Sequence, residues 1–414
     1  MPQLKGLITT HSLTMIRLST NLENQNAKIV LKEGREKSVK NFHPWIFSGA
    51  IDRIEGNFVQ GDLISVYSQN DIRLCKGFVN TNSQITVRVL TFSDENISAE
   101  FFQKRIKQAL RLREVIIPSN TNAYRLINAE GDLLPGLIID RYDTCLVMQI
   151  SSIGVSRIKN LIVELLIELS NYECIIEKSQ GKSLQMERMK PVMVVLYGEI
   201  RNPIQIYENG IKFLVDITGG QKTGFFLDQR ENRQLISTLS KDKNACNCFS
   251  YTGGFSLYAA LNNANTTSVE SNQNAQDLAK KNFELNKLDP DKHEFITANV
   301  FEFLRNSSDN FDIIILDPPA FVKRKQDLLR GTRGYKDINR LAMQRIRDNG
   351  ILLTCSCSNF VSWELFQKVI YSAAKETGRK AKILQRLGQP ADHPISLYHP
   401  EGEYLKAFLL QISD

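Results

Sequence analysis

The run Thr354-Cys-Ser-Cys-Ser-Asn359 places two thiols at the end of an apolar segment that begins at Ile351 and is predicted to be a strand. In an extended strand Cys355 and Cys357 point to the same face, so side-chain alternation does not choose between them. Cys357 lies farther toward the carboxyl end, where open α/β sheets bind ligands, which favours it as a nucleophile. Cys355 then becomes a small buried residue. A second interpretation stays open, in which both thiols are inert.

A second feature is the segment Asp317-Pro-Pro-Ala-Phe321, which directly follows the most apolar strand candidate of the chain. Two successive prolines stiffen a loop. The loop would present the Asp317 carboxylate and the neighbouring carbonyls to a crevice, and it would leave Phe321 free to stack on a planar ring. The alternative is a simple end of the strand.

The third feature is the glycine pair in Cys248-Phe-Ser-Tyr-Thr-Gly-Gly-Phe-Ser256. Gly253 and Gly254 allow the backbone to approach a ligand closely, although the segment lacks the three spaced glycines of the dinucleotide fingerprint. Glu270 ends the next predicted strand, where a carboxylate can accept from both hydroxyls of a ribose. Asn299 follows the third strand and could reach an adenine edge or simply form a turn. Together these residues favour a cofactor that contains adenosine.

The segment after Phe321 is strongly basic. It holds seven basic residues against two acidic ones, Asp327 and Asp337, and the basic residues are Lys323, Arg324, Lys325, Arg330, Arg333, Lys336 and Arg340. Gly331, Gly334 and Tyr335 are interleaved with them. This composition favours a grip on a phosphate backbone, and a solvated loop and helix face is the alternative.

Alternating strands and helices must position these residues. From Ala245 to the end of the chain the pattern predicts an α/β fold with a Rossmann-like, doubly wound sheet. The Asn209-Gly210 pair between alternating apolar residues predicts a hairpin at the entry to this domain. Earlier in the chain, period-two runs predict a β-rich module, and a mixed pattern predicts a central α+β domain. The predicted domains span residues 27–95, 96–203 and 204–414.

Residues 1–26 contain Lys5 and Arg17 among many Ser and Thr residues, with no acidic residue before Glu23. This composition resembles that of an organelle transit peptide. Its low Arg content instead favours a flexible tail, or a translation start at Met15.

The composition of the 414 residues, 42% hydrophobic and 23% charged, is typical of a globular protein and excludes a largely disordered one. The net charge of +7 is compatible with a polyanionic partner. No run approaches the roughly 18 apolar residues of a membrane span, so no membrane partner is expected. Seven cysteines, an odd number, favour reduced thiols and a cytoplasmic location. Their spacing does not match structural zinc pairs, so no metal is predicted.

The glycine-pair segment, the Asp-Pro-Pro-Ala-Phe loop, the stretch Arg333-Gly-Tyr-Lys-Asp337 and the Thr-Cys-Ser-Cys-Ser run occur in that order. Together they resemble the class I S-adenosylmethionine-dependent methyltransferases that modify large-subunit ribosomal RNA at carbon 5 of cytosine. The segment His43-Pro-Trp-Ile-Phe-Ser-Gly-Ala50 and residues 124–136 and 220–233 are similar to the same family. The resemblance covers nearly everything from Leu31 onward. It implies an N-terminal PUA RNA-binding domain, a central α+β domain and a C-terminal Rossmann-like methyltransferase domain.

The resemblance also implies which residues bind each ligand. Those for the cofactor, S-adenosylmethionine, are Gln221, Thr223, Phe225, Arg230, Ser250, Tyr251, Thr252, Gly253, Gly254, Glu270, Ser271, Asn299, Val300, Asp317 and Pro318. Those for the substrate RNA are Phe321, Lys323, Arg324, Lys325, Arg333 and Lys336. The segment from Gln221 to Arg230 would close over the cofactor. Asn299 stands where the family more often has Asp, and Asn128 stands where His is expected.

The chemistry of this family needs a thiol, because carbon 5 of cytosine becomes nucleophilic only after a thiolate adds to carbon 6. The resemblance assigns that thiolate to Cys357. Asp317 would face the cofactor and the target base and, when protonated, could donate to ring nitrogen 3. The expected partner is large-subunit ribosomal RNA, and a homodimer is the other association considered. Two alternatives stay open, namely methylation of a base nitrogen at the Asp-Pro-Pro-Ala-Phe loop and a non-catalytic RNA-binding assembly factor.

Overall fold

The computed structural model of the chain describes residues 22–414. Its contacts divide the chain into two compact units. Unit 1 contains the described chain up to Ile206, Val215–Phe225 and Ala391–Gly402, and unit 2 contains Tyr207–Leu214, Phe226–Pro390 and Glu403–Asp414. The predictions for residues 1–21, a transit peptide or a tail, lie outside the described residues. Across residues 22–414, no helix has both the length and the apolar character of a membrane span.

Strand β1 (Glu23–Leu31) begins inside the segment predicted to be a flexible tail. Its first residues are polar and show no alternation of apolar side chains, which is why the sequence did not indicate a strand there. They are tied to their neighbours by polar contacts instead. Asn24 Nδ2 donates to Asp62 Oδ2 at 2.9 Å, and Glu23 Oε2 lies 3.0 Å from Lys76 Nζ.

The first part of unit 1 is a six-stranded sheet. Its elements are β1, α1 (Lys37–Lys40), β2 (Trp45–Phe47), β3 (Ile51–Gly56), β4 (Leu63–Tyr67), β5 (Arg73–Val79) and β6 (Ile85–Thr91). The strand order is β2-β6-β5-β4-β1-β3, and every pair is antiparallel except β1 with β4. Apolar side chains of these strands pack together in a core that contains Ile29, Val66 and Val87.

The second part of unit 1 is a five-stranded sheet with helices. Its elements are α2 (Ala99–Ile116), β7 (Ala123–Asn128), β8 (Leu137–Tyr142), β9 (Cys145–Ile150), α3 (Ile153–Leu169), β10 (Cys174–Ser179), α4 (Lys182–Met186) and β11 (Val192–Gly198). The strand order is β11-β10-β9-β8-β7. Helices α2 and α3 pack on each other and contribute Phe102 and Leu166 to a core shared with Leu146 of β9.

Residues 391–402 belong to unit 1, although the sequence predicted 204–414 to be one continuous domain. Side-chain hydrogen bonds hold this segment. Arg113 Nη2 donates to the Asp392 carbonyl at 2.8 Å, and Asp392 Oδ2 accepts from the Arg125 N–H at 2.9 Å. Such contacts join positions far apart in the chain and leave no local pattern, so the sequence did not indicate this interruption.

The predicted hairpin is present. Strands β12 (Ile204–Glu208) and β13 (Ile211–Val215) pair with each other across the Asn209-Gly210 turn. Asn209 has a φ of 51° and Gly210 a φ of 81°, and a type I′ turn requires positive φ at both positions.

Unit 2 is built on a seven-stranded sheet. Its further elements are α5 (Arg230–Leu239), β14 (Asn244–Cys248), α6 (Gly254–Ala260), β15 (Asn265–Glu270), α7 (Gln273–Leu285), β16 (Glu294–Thr297), α8 (Val300–Asn306), β17 (Phe311–Leu316), α9 (Leu328–Arg345), β18 (Ile346–Ser356), α10 (Trp363–Thr377), β19 (Lys380–Leu387) and β20 (Lys406–Ser413). The order is β16-β15-β14-β17-β18-β20-β19. The first five strands are parallel, and β20 is antiparallel to both of its neighbours. The predicted Rossmann-like α/β fold is confirmed.

The strand order of this sheet marks one place as a ligand site. The chain moves outward from β14 to β15 and β16, and then returns to β17 and continues to β18. The direction of progression therefore reverses between β14 and β17. Ligands of open α/β sheets bind beyond the carboxyl ends of the strands at such a reversal. Strand β17 is buried on both faces from Ile313 to Leu316, as its continuous apolar run predicted.

Candidate active site

Four neighbouring strands end at the same level in unit 2. Cys248 of β14 is in register with Val269 of β15 and with Leu316 of β17, and Leu316 is in register with Thr354 of β18. The loops that follow these residues leave the sheet along one edge. They contain the glycine pair, the strand-end carboxylate, the Asp-Pro-Pro loop and the second thiol. The structure thus brings together segments that are spread over about a hundred residues of sequence.

The loop after β14 is strained and holds unsatisfied polar atoms. Phe249 and Tyr251 have φ values of 62° and 47°, a region that residues other than glycine seldom occupy. Strain of this kind persists where the surrounding structure enforces it, often at ligand sites. The hydroxyls of Ser250 and Thr252 are buried and have no hydrogen-bond partner within residues 22–414. Leaving a buried polar atom unpaired costs about 1–3 kcal/mol, so this loop is suited to a ligand that satisfies them.

The glycine pair is needed for packing beside this loop. A Cβ at Gly253, whose φ is 77°, would lie 3.0 Å from the Cβ of Ala279, and one at Gly254 would lie 3.1 Å from Arg233 Cδ. Arg233 forms a buried, two-pronged ion pair with Glu208, at 2.8 Å and 2.6 Å. Burial acts to lower the pKa of Arg233, but the charge of Glu208 outweighs it and raises that pKa. The sequence did not single out Glu208, whose only signal is an acid just before the hairpin turn.

Glu270 is buried at the end of β15, and its carboxylate is held by hydrogen bonds. Oε2 accepts from the Tyr251 N–H at 3.1 Å, and Oε1 accepts from the Asn272 N–H at 3.0 Å and from Ser271 Oγ at 3.1 Å. The carboxylate is therefore fixed next to the strained loop. A carboxylate has about four lone-pair positions, so it can accept further bonds from hydroxyls.

Asn299 and Val300 begin helix α8. Asn299 is the residue that caps this helix, and its Oδ1 accepts from the N–H groups of Phe301 at 2.9 Å and Glu302 at 3.4 Å. The only acceptor atom of this amide is thus used by the helix. Val300 is buried. A contact between Asn299 and adenine stays a prediction, and the turn chemistry that was its alternative is present.

Phe321 is half-buried and packs against other aromatic rings, and its predicted stacking on a base stays a prediction. Its ring centroid lies 4.7 Å from that of Tyr335 and 6.0 Å from that of Phe301. A Cβ at Gly334 would be 3.2 Å from the Phe321 ring, and one at Gly331 would be 2.8 Å from its carbonyl. The glycines that seemed to belong to a phosphate grip therefore open helix α9 for this packed aromatic ring.

The two thiols of the Thr-Cys-Ser-Cys-Ser run occupy different environments. Cys355 is fully buried in β18, and burial, with a smaller contribution from the charge of Asp317, raises its pKa far above the ordinary value. Cys357 follows the end of the strand and is half-buried. Its Sγ lies 3.9 Å from the carbonyl oxygen of Pro318, in the loop that also carries the half-buried Asp317. This placement supports Cys357, and not Cys355, as the reactive thiol.

A buried lysine beside Cys357 was missed by sequence reasoning. Lys406 is 3% exposed, and its Nζ donates to the Ser358 carbonyl at 3.2 Å. Burial lowers the pKa of Lys406, and the negative charges of Glu403 and, to a smaller extent, of Cys357 act in the opposite direction. The hydroxyl of Tyr335 lies 2.9 Å from Ser358 Oγ, which ties the loop after β18 to helix α9. The available signal was a lysine at the start of an otherwise apolar run.

The first part of the segment predicted to close over the cofactor belongs to unit 1. Thr223 is 1% exposed, and its hydroxyl donates to Asp140 Oδ2 at 2.6 Å. Phe225 is also buried, and its N–H donates to a tyrosine hydroxyl of β8. Gln221 is exposed. Arg230 lies in unit 2 as the buried first residue of α5. A cofactor role for Gln221, Phe225 and Arg230 stays a prediction. The same role for Thr223 is also untested, and because Asp140 already engages its hydroxyl we expect this residue to serve the fold instead.

The basic segment divides into paired and unpaired cations. Arg324 Nε lies 3.1 Å from Asp327, and Lys336 Nζ lies 2.7 Å from Glu376, so two of the predicted RNA-binding cations are engaged in ion pairs. The other three predicted RNA-binding cations, Lys323, Lys325 and Arg333, are exposed and form no ion pair within residues 22–414, and the same holds for Arg330 of this segment. The charge available to a phosphate backbone is therefore smaller than the sequence count suggests.

Two family models match the chain. A PUA-like domain matches residues 29–92, which coincide with the six-stranded sheet of unit 1. An S-adenosylmethionine-dependent methyltransferase model matches residues 164–410, which include the whole seven-stranded sheet except its last residues.

Relatives and solved structures are similar over nearly the full length. Proteins named ribosomal RNA large subunit methyltransferase I from Aeromonas hydrophila and Vibrio vulnificus are 44% and 45% identical over 394 and 395 residues, covering 93% and 94% of this chain and 99% and 100% of theirs. A candidate SAM-dependent methyltransferase from Streptococcus mutans has a TM-score of 0.79 at 26% identity. A candidate methyltransferase complexed with SAH has a TM-score of 0.80 at 25% identity. Each alignment covers 93% of this chain and 99% of the other.

Proposed function

Because the chain belongs to the S-adenosylmethionine-dependent methyltransferase family, we propose that it methylates carbon 5 of a cytosine in large-subunit ribosomal RNA through a covalent bond to Cys357. The names of its relatives support the RNA substrate. The observation that carries the carbon 5 chemistry is the contrast between a fully buried Cys355 and a half-buried Cys357 at the carboxyl edge of the sheet.

The residues at this edge fit the cofactor. The buried hydroxyls of Ser250 and Thr252 have no partner in the described chain and can bond to its polar atoms. Glu270 is held where it can accept from ribose hydroxyls. Ser271, Asn299, Val300, Asp317 and Pro318 complete the proposed set. S-adenosylmethionine supplies an electrophilic methyl group when bound.

Cys357 forms a bond from its sulfur to carbon 6 of the cytosine, and the electron pair of the carbon 5–carbon 6 double bond moves onto carbon 5, from which it is shared through carbon 4 with nitrogen 3. Asp317 in its protonated form donates to nitrogen 3 and stabilises that electron density. Carbon 5 would then form a bond to the methyl group, and the electron pair of the broken methyl–sulfur bond would remain on the sulfur of the donor. Loss of the carbon 5 proton to a base restores the double bond and expels the Cys357 thiolate. The buried ammonium of Lys406 favours the thiolate form of Cys357, both when the thiolate attacks carbon 6 and when it is expelled.

The RNA is held by charge and by a dedicated domain. The exposed cations Lys323, Lys325 and Arg333 adjoin the site in sequence and attract phosphates. The PUA-like domain provides a second RNA-binding surface. All seven cysteines are free thiols, which is consistent with a reducing, cytoplasmic compartment.

Trapping with 5-fluorocytosine tests the proposal. Fluorine at carbon 5 cannot leave as a proton does, so the enzyme should remain covalently attached to an RNA fragment that contains this base. We expect a denaturation-resistant complex with the wild type and with Cys355→Ala, the matched control, and none with Cys357→Ala.

The same variants separate the alternatives. Cys357→Ala should bind S-adenosylmethionine normally and lose at least about 10³-fold in turnover, since removal of a nucleophile is that costly in other enzymes. Full activity of Cys357→Ala, with the methyl group found on a base nitrogen, would replace the proposal by nitrogen methylation. Cofactor binding by the wild type without any methyl transfer to RNA would indicate an assembly factor.

A further inference from the structure

Three side chains that can ligate metals converge in unit 1, whereas the candidate active site described above lies in unit 2. His43 lies just before strand β2, and His399 and Glu401 lie in the segment of residues 391–402. We call these three residues the His–Glu cluster. One ligand atom from each of them lies within 4.8 Å of the other two.

The distances within the His–Glu cluster suit a shared ion. His43 Nε2 lies 3.4 Å from Glu401 Oε1, and His399 Nδ1 lies 3.0 Å from Glu401 Oε2. Zinc binds nitrogen and oxygen ligands at about 2.0–2.2 Å in a tetrahedron, which places two ligand atoms about 3.3 Å apart. Both observed distances are close to that value, so small side-chain rotations would complete the geometry.

The orientation of His399 is an independent observation. This residue is 4% exposed, and its Nδ1 forms no hydrogen bond even though a carboxylate oxygen of Glu401 is close by. The oxygen therefore lies off the direction in which the ring nitrogen bonds. Two ligands of one metal have this relation, because each points at the ion and not at the other ligand.

The surroundings orient the other histidine. His43 Nδ1 lies 3.2 Å from both the carbonyl oxygen and the backbone nitrogen of Trp45, so it can donate to the first or accept from the second, and the ring of Trp45 packs on that of His399 with centroids 4.3 Å apart. A ligating histidine commonly donates its second N–H to a backbone carbonyl, which leaves the other nitrogen free to bind the metal. Binding through His43 Nε2 would select this tautomer.

We propose that the His–Glu cluster is a Zn²⁺ site. Two imidazoles and one carboxylate are a donor set that suits zinc, whereas Mg²⁺ and Ca²⁺ prefer oxygen ligands. The carboxylate of Glu401 is 47% exposed, so the fourth position is open to water. Because His43 and Glu401 are 358 positions apart in the chain, the ion stabilises the attachment of residues 391–402 to the β-rich module of unit 1.

Metal titration of the full-length protein tests this proposal. Protein treated with a chelator and then dialysed is titrated with Zn²⁺ against a chromophoric competitor, and thermal unfolding is followed with and without the ion. The variants are His399→Gln and Glu401→Gln, with Glu403→Gln as the matched control, since Glu403 is an exposed carboxylate two positions away.

We expect one tightly bound Zn²⁺ in the wild type and in Glu403→Gln, with a higher unfolding temperature when the ion is present. His399→Gln and Glu401→Gln should bind at least about 10-fold more weakly and lose the thermal shift. Glu401 is exposed, so Glu401→Gln should fold even if a change at the buried His399 does not. Equal Zn²⁺ affinity of Glu401→Gln and the wild type, or no binding by the wild type, would overturn the site.

Discussion

Two buried loops with similar sequences differ in whether their side-chain hydroxyls have hydrogen-bond partners within residues 22–414. Thr223 in unit 1 and Thr252 in unit 2 each precede a glycine, and the family resemblance implied that both bind the cofactor. The hydroxyl of Thr223 donates to Asp140 at 2.6 Å, and Asp140 also accepts from Arg125 at 2.8 Å. The hydroxyls of Thr252 and of its neighbour Ser250 have no partner in the described chain.

This difference separates a structural role from a binding role. A buried polar group with its partners in place contributes to stability, whereas one without them costs stability. Such a cost persists at functional sites, where binding repays it. The satisfied cluster around Asp140 should therefore matter to folding, and the unsatisfied loop around Thr252 should matter to the cofactor.

The largest effect is expected at Asp140. Asp140→Ala removes the charge that compensates the buried guanidinium of Arg125, and breaking a buried ion pair costs about 3–5 kcal/mol. Chemical denaturation should show that loss in the free energy of unfolding. The control is Asp71→Asn, which removes the charge of an exposed partner of Lys28, keeps a residue type that tolerates the positive φ of 56° at this position, and should cost less than about 1 kcal/mol. A loss at Asp140 no larger than that at Asp71 would contradict the structural role.

The next largest effect is expected at Lys406, whose buried ammonium is proposed to favour the thiolate form of Cys357. Lys406→Met should lower turnover about 10²-fold, with unchanged cofactor affinity. Because the ammonium no longer favours the thiolate, the rising limb of the pH–rate profile should move to higher pH.

The stability of the same variant shows whether the role is structural. Burial lowers the pKa of Lys406 below 10.5, so the folded state binds this proton less tightly than the unfolded chain does. The charge therefore destabilises the fold across the neutral range, and this cost fades only as the pH rises toward 10.5. Lys406→Met should be at least as stable as the wild type at neutral pH. A less stable variant with an unmoved pH profile would make Lys406 a structural residue.

A smaller effect separates the two threonines directly. Thr252→Ala should weaken cofactor binding about 5-fold, the value of one hydrogen bond of about 1 kcal/mol, without loss of stability. Thr223→Ala should show the reverse, with lower stability and unchanged cofactor affinity. Calorimetric titration with S-adenosylmethionine and denaturation of both variants measure the two quantities. Equal behaviour of the two variants would remove the distinction between the loops.

The smallest effect is expected at Asn299. Its single acceptor oxygen caps helix α8, so its amide has no oxygen left for the amino group of adenine. Asn299→Asp supplies a second oxygen and retains a good helix cap. We expect cofactor affinity to rise about 3-fold, as one weak hydrogen bond allows. Unchanged or weaker affinity would show that this residue does not face the adenine.

The sequence predicted well wherever the signal is local. The Asn209-Gly210 turn follows from the backbone freedom of those two residues, and strand β17 follows from its continuous apolar run. The glycine pair and the Asp-Pro-Pro loop could be placed at the ends of strands because the sequence shows alternating strand and helix patterns in this part of the chain. Phe321 shows the limit, because the packing of its ring depends on Gly334 of the following helix α9, where the missing Cβ leaves room for the ring.

By itself the sequence determined the Rossmann-like fold, the β-rich N-terminal module and the segments that meet at the carboxyl edge, because each depends on patterns within a few residues. The tertiary structure decided which of two similar threonines is satisfied, which of two cysteines is accessible, and which lysine lies beside it. It also brought His43 to Glu401. These outcomes depend on partners that are tens to hundreds of positions away in the chain. Contacts at such separations leave no local sequence pattern, although their hydrogen bonds and burial determine the stability of the fold.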